Sequence, residues 1–174
     1  KLTSKDTIHG RIMRIFIPNL KREIPLFVIF RLLGVITDKD IIRHIVYDYD
    51  HPSNKTIIQL LIASLNEARH IKTQDEAMES IYSFVNYIGF PREIQMDVPK
   101  QREYITNLLK NDFLPNVGPS YKKKALFVGY MVRRLINCYI GREAYDDRDS
   151  YVNKRIDLPG ILLGNLFRQY FSKL

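Results

Sequence analysis

Apolar residues recur three and four positions apart over most of this chain, and that spacing restricts it to helices packed face against face. Ile41, Ile42, Ile45 and Val46 follow Thr37-Asp38-Lys39-Asp40, a cap with acids in the first turn. Ile57, Ile58, Leu61, Ile62 and Leu65 form the next stripe, beyond a turn at Asp50-His51-Pro52-Ser53-Asn54. Thr73 with Glu76 three residues later is a capping box, opening a helix that carries Ala77, Ile81, Phe84, Val85 and Ile88 and closes at Gly89. Residues 89–98 read as a loop. Pro99 suits a first helical turn, and the helix it opens ends before Pro115. Ser120 is placed to cap the longest helix, Tyr121–Tyr139, which Gly141 terminates, and a last helix starts near Leu158. Leu26–Leu33 is almost wholly apolar and stops at Gly34, as a buried helix with a glycine end does. Ile8–Ile17 has the branched residues of a strand, ended by Pro18. The fold class is therefore mainly α with a small β component (α+β), a compact helical domain with one or a few N-terminal strands.

With 174 residues and 45% hydrophobic content the chain can build one sizeable core. No apolar run approaches the roughly 18 residues that cross a membrane. The first residue, Lys1, and the last, Leu174, read as cut ends, so the chain is expected to be a piece of something larger. The single cysteine forbids an intrachain disulfide and favours a reducing, intracellular compartment. Cys138 lies among Leu135, Ile136 and Tyr139 and is expected to be a packed core thiol.

The net charge of +8 is unevenly placed: residues 1–99 hold 13 basic and 12 acidic groups, residues 100–174 hold 14 and 7. A basic half points either to an anionic neighbour such as nucleic acid or to helices coated for solubility. Lys122-Lys123-Lys124 opens the long helix, where positive charge opposes the dipole by a few tenths of a kcal/mol each (about 0.3 at least). A second use for the triplet is therefore expected: contact with nucleic acid or a partner protein. Arg133 and Arg134, farther along the helix, join it as candidates.

The Gly-rich phosphate loops and the H-E-x-x-H zinc pattern are missing from the sequence. His9, His44, His51 and His70 share no ligand spacing and are expected at the surface or in caps. Asp146, Asp147 and Asp149 are a tempting magnesium site, yet Arg148, Lys154 and Arg155 can neutralise them locally. No catalytic, cofactor or metal residue is assigned on these grounds. Asn153 and Lys154 suit a backbone phosphate or an acidic partner. The competing possibility is an intramolecular lock, Arg155 forked onto Asp147 or Asp149. From residues alone, a free-standing basic helical nucleic-acid-binding protein and a helical protein–protein adaptor both remain open.

Three blocks then carry a resemblance. Ile24-Pro25 with Phe30-Arg31-Leu32-Leu33-Gly34 is similar to a run in the second-largest subunit of multisubunit DNA-directed RNA polymerases. Phe113-Leu114-Pro115, followed by Lys124-Ala125-Leu126-Phe127-Val128-Gly129-Tyr130-Met131, resembles a second. Asp146-Asp147-Arg148-Asp149 with Asn153-Lys154-Arg155-Ile156-Asp157-Leu158 resembles a third. The blocks keep the family's order over nearly the whole chain. Departures stand at Ser150, Val152 and Pro159, where the family often has His, Gly and Ala, and they unsettle the path past Arg155. The segment from His51 to Pro99 looks nearer to polymerase subunits of large DNA viruses.

The resemblance implies a lobe domain over residues 1–155 and the start of the adjoining fork region over 156–174. It implies a nucleotidyltransferase parent enzyme of which this piece is an inactive part, forming one wall of the DNA cleft in transcription. Catalytic Mg²⁺ would be bound by the largest subunit, leaving no cofactor here. Implied partners are the other polymerase subunits, chiefly the largest, downstream duplex DNA and transcription factors, with no membrane. The implied location is intracellular: the nucleus if cellular, the virion and host cytoplasm if viral.

Overall fold

A computed structural model describes residues 1–8, 10–85 and 98–173 of the chain. Strands β1 (Leu2–Thr7) and β2 (Gly10–Ile15) pair antiparallel, from Leu2 opposite Ile15 to Thr7 opposite Gly10. Gly10 has φ 112°, a conformation open to a residue without a Cβ, and its carbonyl accepts from the Thr7 hydroxyl at 2.7 Å. The strand expected over Ile8–Ile17 is thus only one arm of a hairpin. Its partner β1 escapes a pattern search because Leu2 is its one apolar residue and its outer four residues are exposed. An edge strand of that kind is held by the ladder rather than by apolar alternation. Strand β3 (Ile24–Pro25) pairs with the other side of β2, Ile24 opposite Ile15.

Helix α1 (Leu26–Leu32) has all seven residues buried, and Gly34 at φ 89° turns the chain away, as expected. Its Arg31 is 3% exposed. A buried charge must be paired; this one donates to the Ala68 carbonyl at 2.9 Å and meets Asp38 at 2.5 Å. Helix α2 (Asp38–Val46) is capped by the Thr37 hydroxyl, which accepts from the Asp40 N–H. Helix α3 (Lys55–Glu67) packs on β2, with Ser64 Oγ accepting from the Met13 N–H at 2.9 Å.

Helix α4 (Gln74–Tyr82) opens with the full capping box of Thr73 and Glu76. It stops at Tyr82, short of the expected end. Val85 instead bridges Leu20, and the Lys21 N–H donates to the Phe84 carbonyl at 2.7 Å. A strand-like contact has overridden the helical spacing there. Ile88, Gly89 and most of the expected loop fall outside the described residues; Val98, its last residue, begins helix α5 (Val98–Asn107). That helix widens into a π-type turn, Leu108–Asp112.

Helix α6 (Tyr121–Tyr139) has the expected limits, and Gly141 follows at φ 76°. Ser120 sits at the cap position but makes no side-chain capping bond. Helices α2 and α6 meet backbone to side at Gly129, where a Cβ would lie 2.2 Å from the His44 carbonyl oxygen. The shared core includes Phe27, Phe30, Ile41, Ile45, Leu61 and Val132, all fully buried. Cys138 lies outside it: the expected core thiol is only partly covered.

The chain divides into two compact units, Lys1–Arg142 and Glu143–Leu174. The second holds the acidic turn, a short 3-10 turn at Tyr151–Asn153 and helix α7 (Pro159–Phe171), none of whose residues is buried. None of the described helices is long and apolar enough to cross a membrane.

Candidate nucleic-acid and partner interface

Successive helical residues point about 100° apart, so three adjacent lysines cannot share one face. In α6, Lys122 and Lys123 are exposed. Lys124 is not: it is 0% exposed and belongs to the buried stripe Lys124, Val128, Val132, Ile136. Its ammonium donates to the carbonyls of Leu109 at 2.6 Å, Lys110 at 2.8 Å and Phe113. These are carbonyls at the π-type turn, where the regular helical partners run out. Burial pushes the Lys124 pKa below its ordinary value, and the Asp112 carboxylate opposes that shift. Lys124 is therefore withdrawn from the expected contact surface and acts as a clamp between the π-type turn and α6. The signal was present in the sequence: the residues four, eight and twelve positions on, Val128, Val132 and Ile136, are all apolar.

Arg133 is half-buried and also engaged within the fold. Its Nη1 donates to the Val46 carbonyl, and its guanidinium lies 5.0 Å from the Tyr47 ring centroid. Tyr47 ends α2 at φ 64°, ψ −52°, in a turn where the Asp48 N–H donates to the same Val46 carbonyl at 2.8 Å. Such a backbone costs about 1–3 kcal/mol at a side-chain-bearing residue and persists only when its surroundings hold it. Arg133 is one of the groups that hold it. Arg134 is exposed. Eleven positions separate it from Lys123, about 16 Å along the axis, so the two ends of α6 form separate patches.

In the second unit the acidic turn folds onto its own backbone. Asp147 accepts from the Asp149 N–H at 2.9 Å, and the Asp147 carbonyl accepts from the Asn153 side chain at 2.7 Å. The cation on Asp149 is Lys154, at 3.0 Å. The expected lock through Arg155 is thus corrected: its exposed side chain has no ion pair among the described residues. The backbone at Lys154 is extended, so neighbouring side chains leave on opposite sides and only one can face the turn. Asn153 and Lys154, read as contact candidates, take structural positions here.

The described histidines make local contacts or lie at the surface. His44 Nδ1 lies 2.7 Å from the Asp40 carbonyl, and His51 Nδ1 accepts from the Ser53 N–H at 3.3 Å. His70 is exposed, and His9 lies outside the described residues. Among the described residues no three His, Cys, Asp or Glu side chains are gathered to hold a metal ion.

Comparison with known proteins adds the family. The model for RNA polymerase Rpb2, domain 2, matches residues 1–157. The DNA-directed RNA polymerase II subunit 2 of Arabidopsis thaliana is 38% identical over 100% of this chain. The archaeal polymerase subunit Rpo2 of Saccharolobus solfataricus is 34% identical over 89% of the chain, and DNA-directed RNA polymerase subunit 2 of Acanthamoeba polyphaga mimivirus is 34% identical over 91%. The chain spans only 13–14% of the length of these relatives. Matched from its first hairpin to the end of the acidic turn, the chain belongs to the RNA polymerase Rpb2, domain 2 family.

Proposed function

We propose that this domain serves within the second-largest subunit of a DNA-dependent RNA polymerase as one wall of the DNA cleft. The observation that carries this is the family match over residues 1–157, in a chain equivalent to a small part of each relative. The same match favours it over a free-standing nucleic-acid-binding protein or an adaptor. In this role the domain does no chemistry. Nucleotidyl transfer belongs to the parent enzyme, with catalytic Mg²⁺ held by the largest subunit; in the acidic turn Asp147 accepts from the Asp149 N–H and Asp149 pairs with Lys154. The other subunits, chiefly the largest, are its structural neighbours, and transcription factors dock on its outer surfaces. Downstream duplex DNA meets Lys122 and Lys123, the exposed part of the basic triplet. The setting is intracellular, the nucleus for a cellular enzyme or the virion and host cytoplasm for a viral one.

A few phosphate contacts give non-specific dissociation constants of roughly 10⁻⁴–10⁻⁶ M that weaken steeply with salt. The purified chain is expected to bind duplex DNA in that range, to lose it in Lys122→Glu/Lys123→Glu, and to incorporate no nucleotide with Mg²⁺ and a template. Template-dependent synthesis by the chain alone, or nanomolar sequence-specific binding, would sink the proposal.

A further inference from the structure

The first 99 residues are nearly neutral in sum, yet the fold gathers four of their cations at one place. Lys5 on β1, Arg14 on β2 and Lys21 and Arg22 before β3 line an open groove of about 450 Å³, together with Glu23, Pro25 and Phe84. The sheet register sets this up. Thr3 lies opposite Arg14 and Pro25 opposite Arg14 on the other side, so the three strands present these positions on one face. Two of the cations are compensated: Lys5 lies 2.5 Å from Glu23, and Arg14 donates to Glu67 at 2.9 Å through Nε. Lys21 and Arg22 are exposed and have no ion pair among the described residues. Arg22 lies 5.9 Å from the half-buried Phe84 ring, so a cation and an apolar face adjoin. Lys5 foremost, with Thr3 and Arg14 adding, holds the Glu23 carboxyl below its ordinary value against the effect of burial.

We propose that this groove docks an acidic segment of a partner protein, its carboxylates on Lys21 and Arg22 and an apolar side chain on Phe84. Charge complementarity selects an acidic partner. Two features favour a polypeptide over nucleic acid. The groove is concave, and an aromatic residue beside arginine is typical of protein interface centres. The chemistry is independent of the DNA-cleft assignment, and the groove shares no residue with the basic end of α6.

The test uses the 174-residue chain and a fluorescein-labelled peptide of Asp and Glu with one central Phe. Anisotropy gives affinity, and amide shifts on the wild-type chain locate the site without any variant. Shifts are expected at Lys5, Lys21, Arg22 and Phe84. Lys21→Glu/Arg22→Glu is expected to weaken binding by about tenfold or more, while the charge-matched control Lys39→Glu/Lys55→Glu leaves it unchanged. Omitting the Phe from the peptide is expected to weaken binding as well. No binding, shifts confined to other residues, or equal affinity in the folded Lys21→Glu/Arg22→Glu variant overturns the proposal. Duplex DNA bound in the groove more tightly than the peptide, and lost in the same variant, overturns it in favour of a nucleic-acid site.

Discussion

Replacing Lys124 by Met keeps a long unbranched side chain and removes only the ammonium. In the folded chain that ammonium satisfies three carbonyls, and its bonds to Leu109 and Phe113 are fully buried. Each buried carbonyl left without a donor costs about 1–3 kcal/mol, so two of them cost about 2–6 kcal/mol. Part of this is returned because a buried ammonium no longer has to be desolvated. The net loss expected is about 2–4 kcal/mol. Urea unfolding of the chain, followed by far-ultraviolet circular dichroism, measures it as a lower midpoint at unchanged slope. The double variant Lys122→Met/Lys123→Met is the control, since exposed positions of this kind usually change stability by less than about 0.5 kcal/mol. If the Lys124 variant matched that control, the ammonium would not be the clamp described, and its burial among carbonyls would carry no energetic weight. Lys124→Glu is expected to be worse than Met, because a carboxylate would face three carbonyl oxygens.

Gly129→Ala places a methyl group 2.2 Å from the His44 carbonyl, so α2 and α6 must separate; a loss of about 1–3 kcal/mol is expected in thermal unfolding, and a neutral result would show the crossing to be looser than described. Glu76 is held below its ordinary value of 4.5 chiefly by the backbone N–H groups of Lys72 and Thr73. Because its folded pKa is the lower one, its contribution is complete above about 4.5 and is lost as pH falls through the folded value. The stability gap between wild type and Glu76→Gln is therefore expected to close on acidification, and a gap that widened would contradict the capping geometry. Arg155→Ala is expected to change stability by less than about 0.5 kcal/mol, since its side chain is exposed and unpaired among the described residues; a larger loss in chemical unfolding would restore it as the lock.

Local chemistry was legible in the linear order of residues. Thr37 and the Thr73–Glu76 box mark helix starts, and Gly34 and Gly141 mark ends, because a cap is completed within four residues whatever surrounds it. The limits of α6 follow from the same short-range rules. The family blocks are also linear objects and could be matched before any coordinates. Other features required distant residues to meet. The polar strand β1 exists because β2 lies beside it, and α4 ends at Tyr82 because Val85 finds Leu20.

The basic residues divide along the same line. Counting charge placed the positive excess after residue 100, but a count does not say which ammonium groups reach solvent. Lys124 and Arg133 turn inward because backbone carbonyls of Phe113 and Val46 lie within reach only after the chain beyond the π-type turn, and α2, have come against α6. Conversely, Lys5, Arg14, Lys21 and Arg22 look scattered and balanced along the chain, and become one positive groove only when the antiparallel register stacks three strands. Helix caps depend on neighbours a turn away, so the sequence determines them. The fate of a charge depends on what lies a few ångströms away in space, and the tertiary structure decides it.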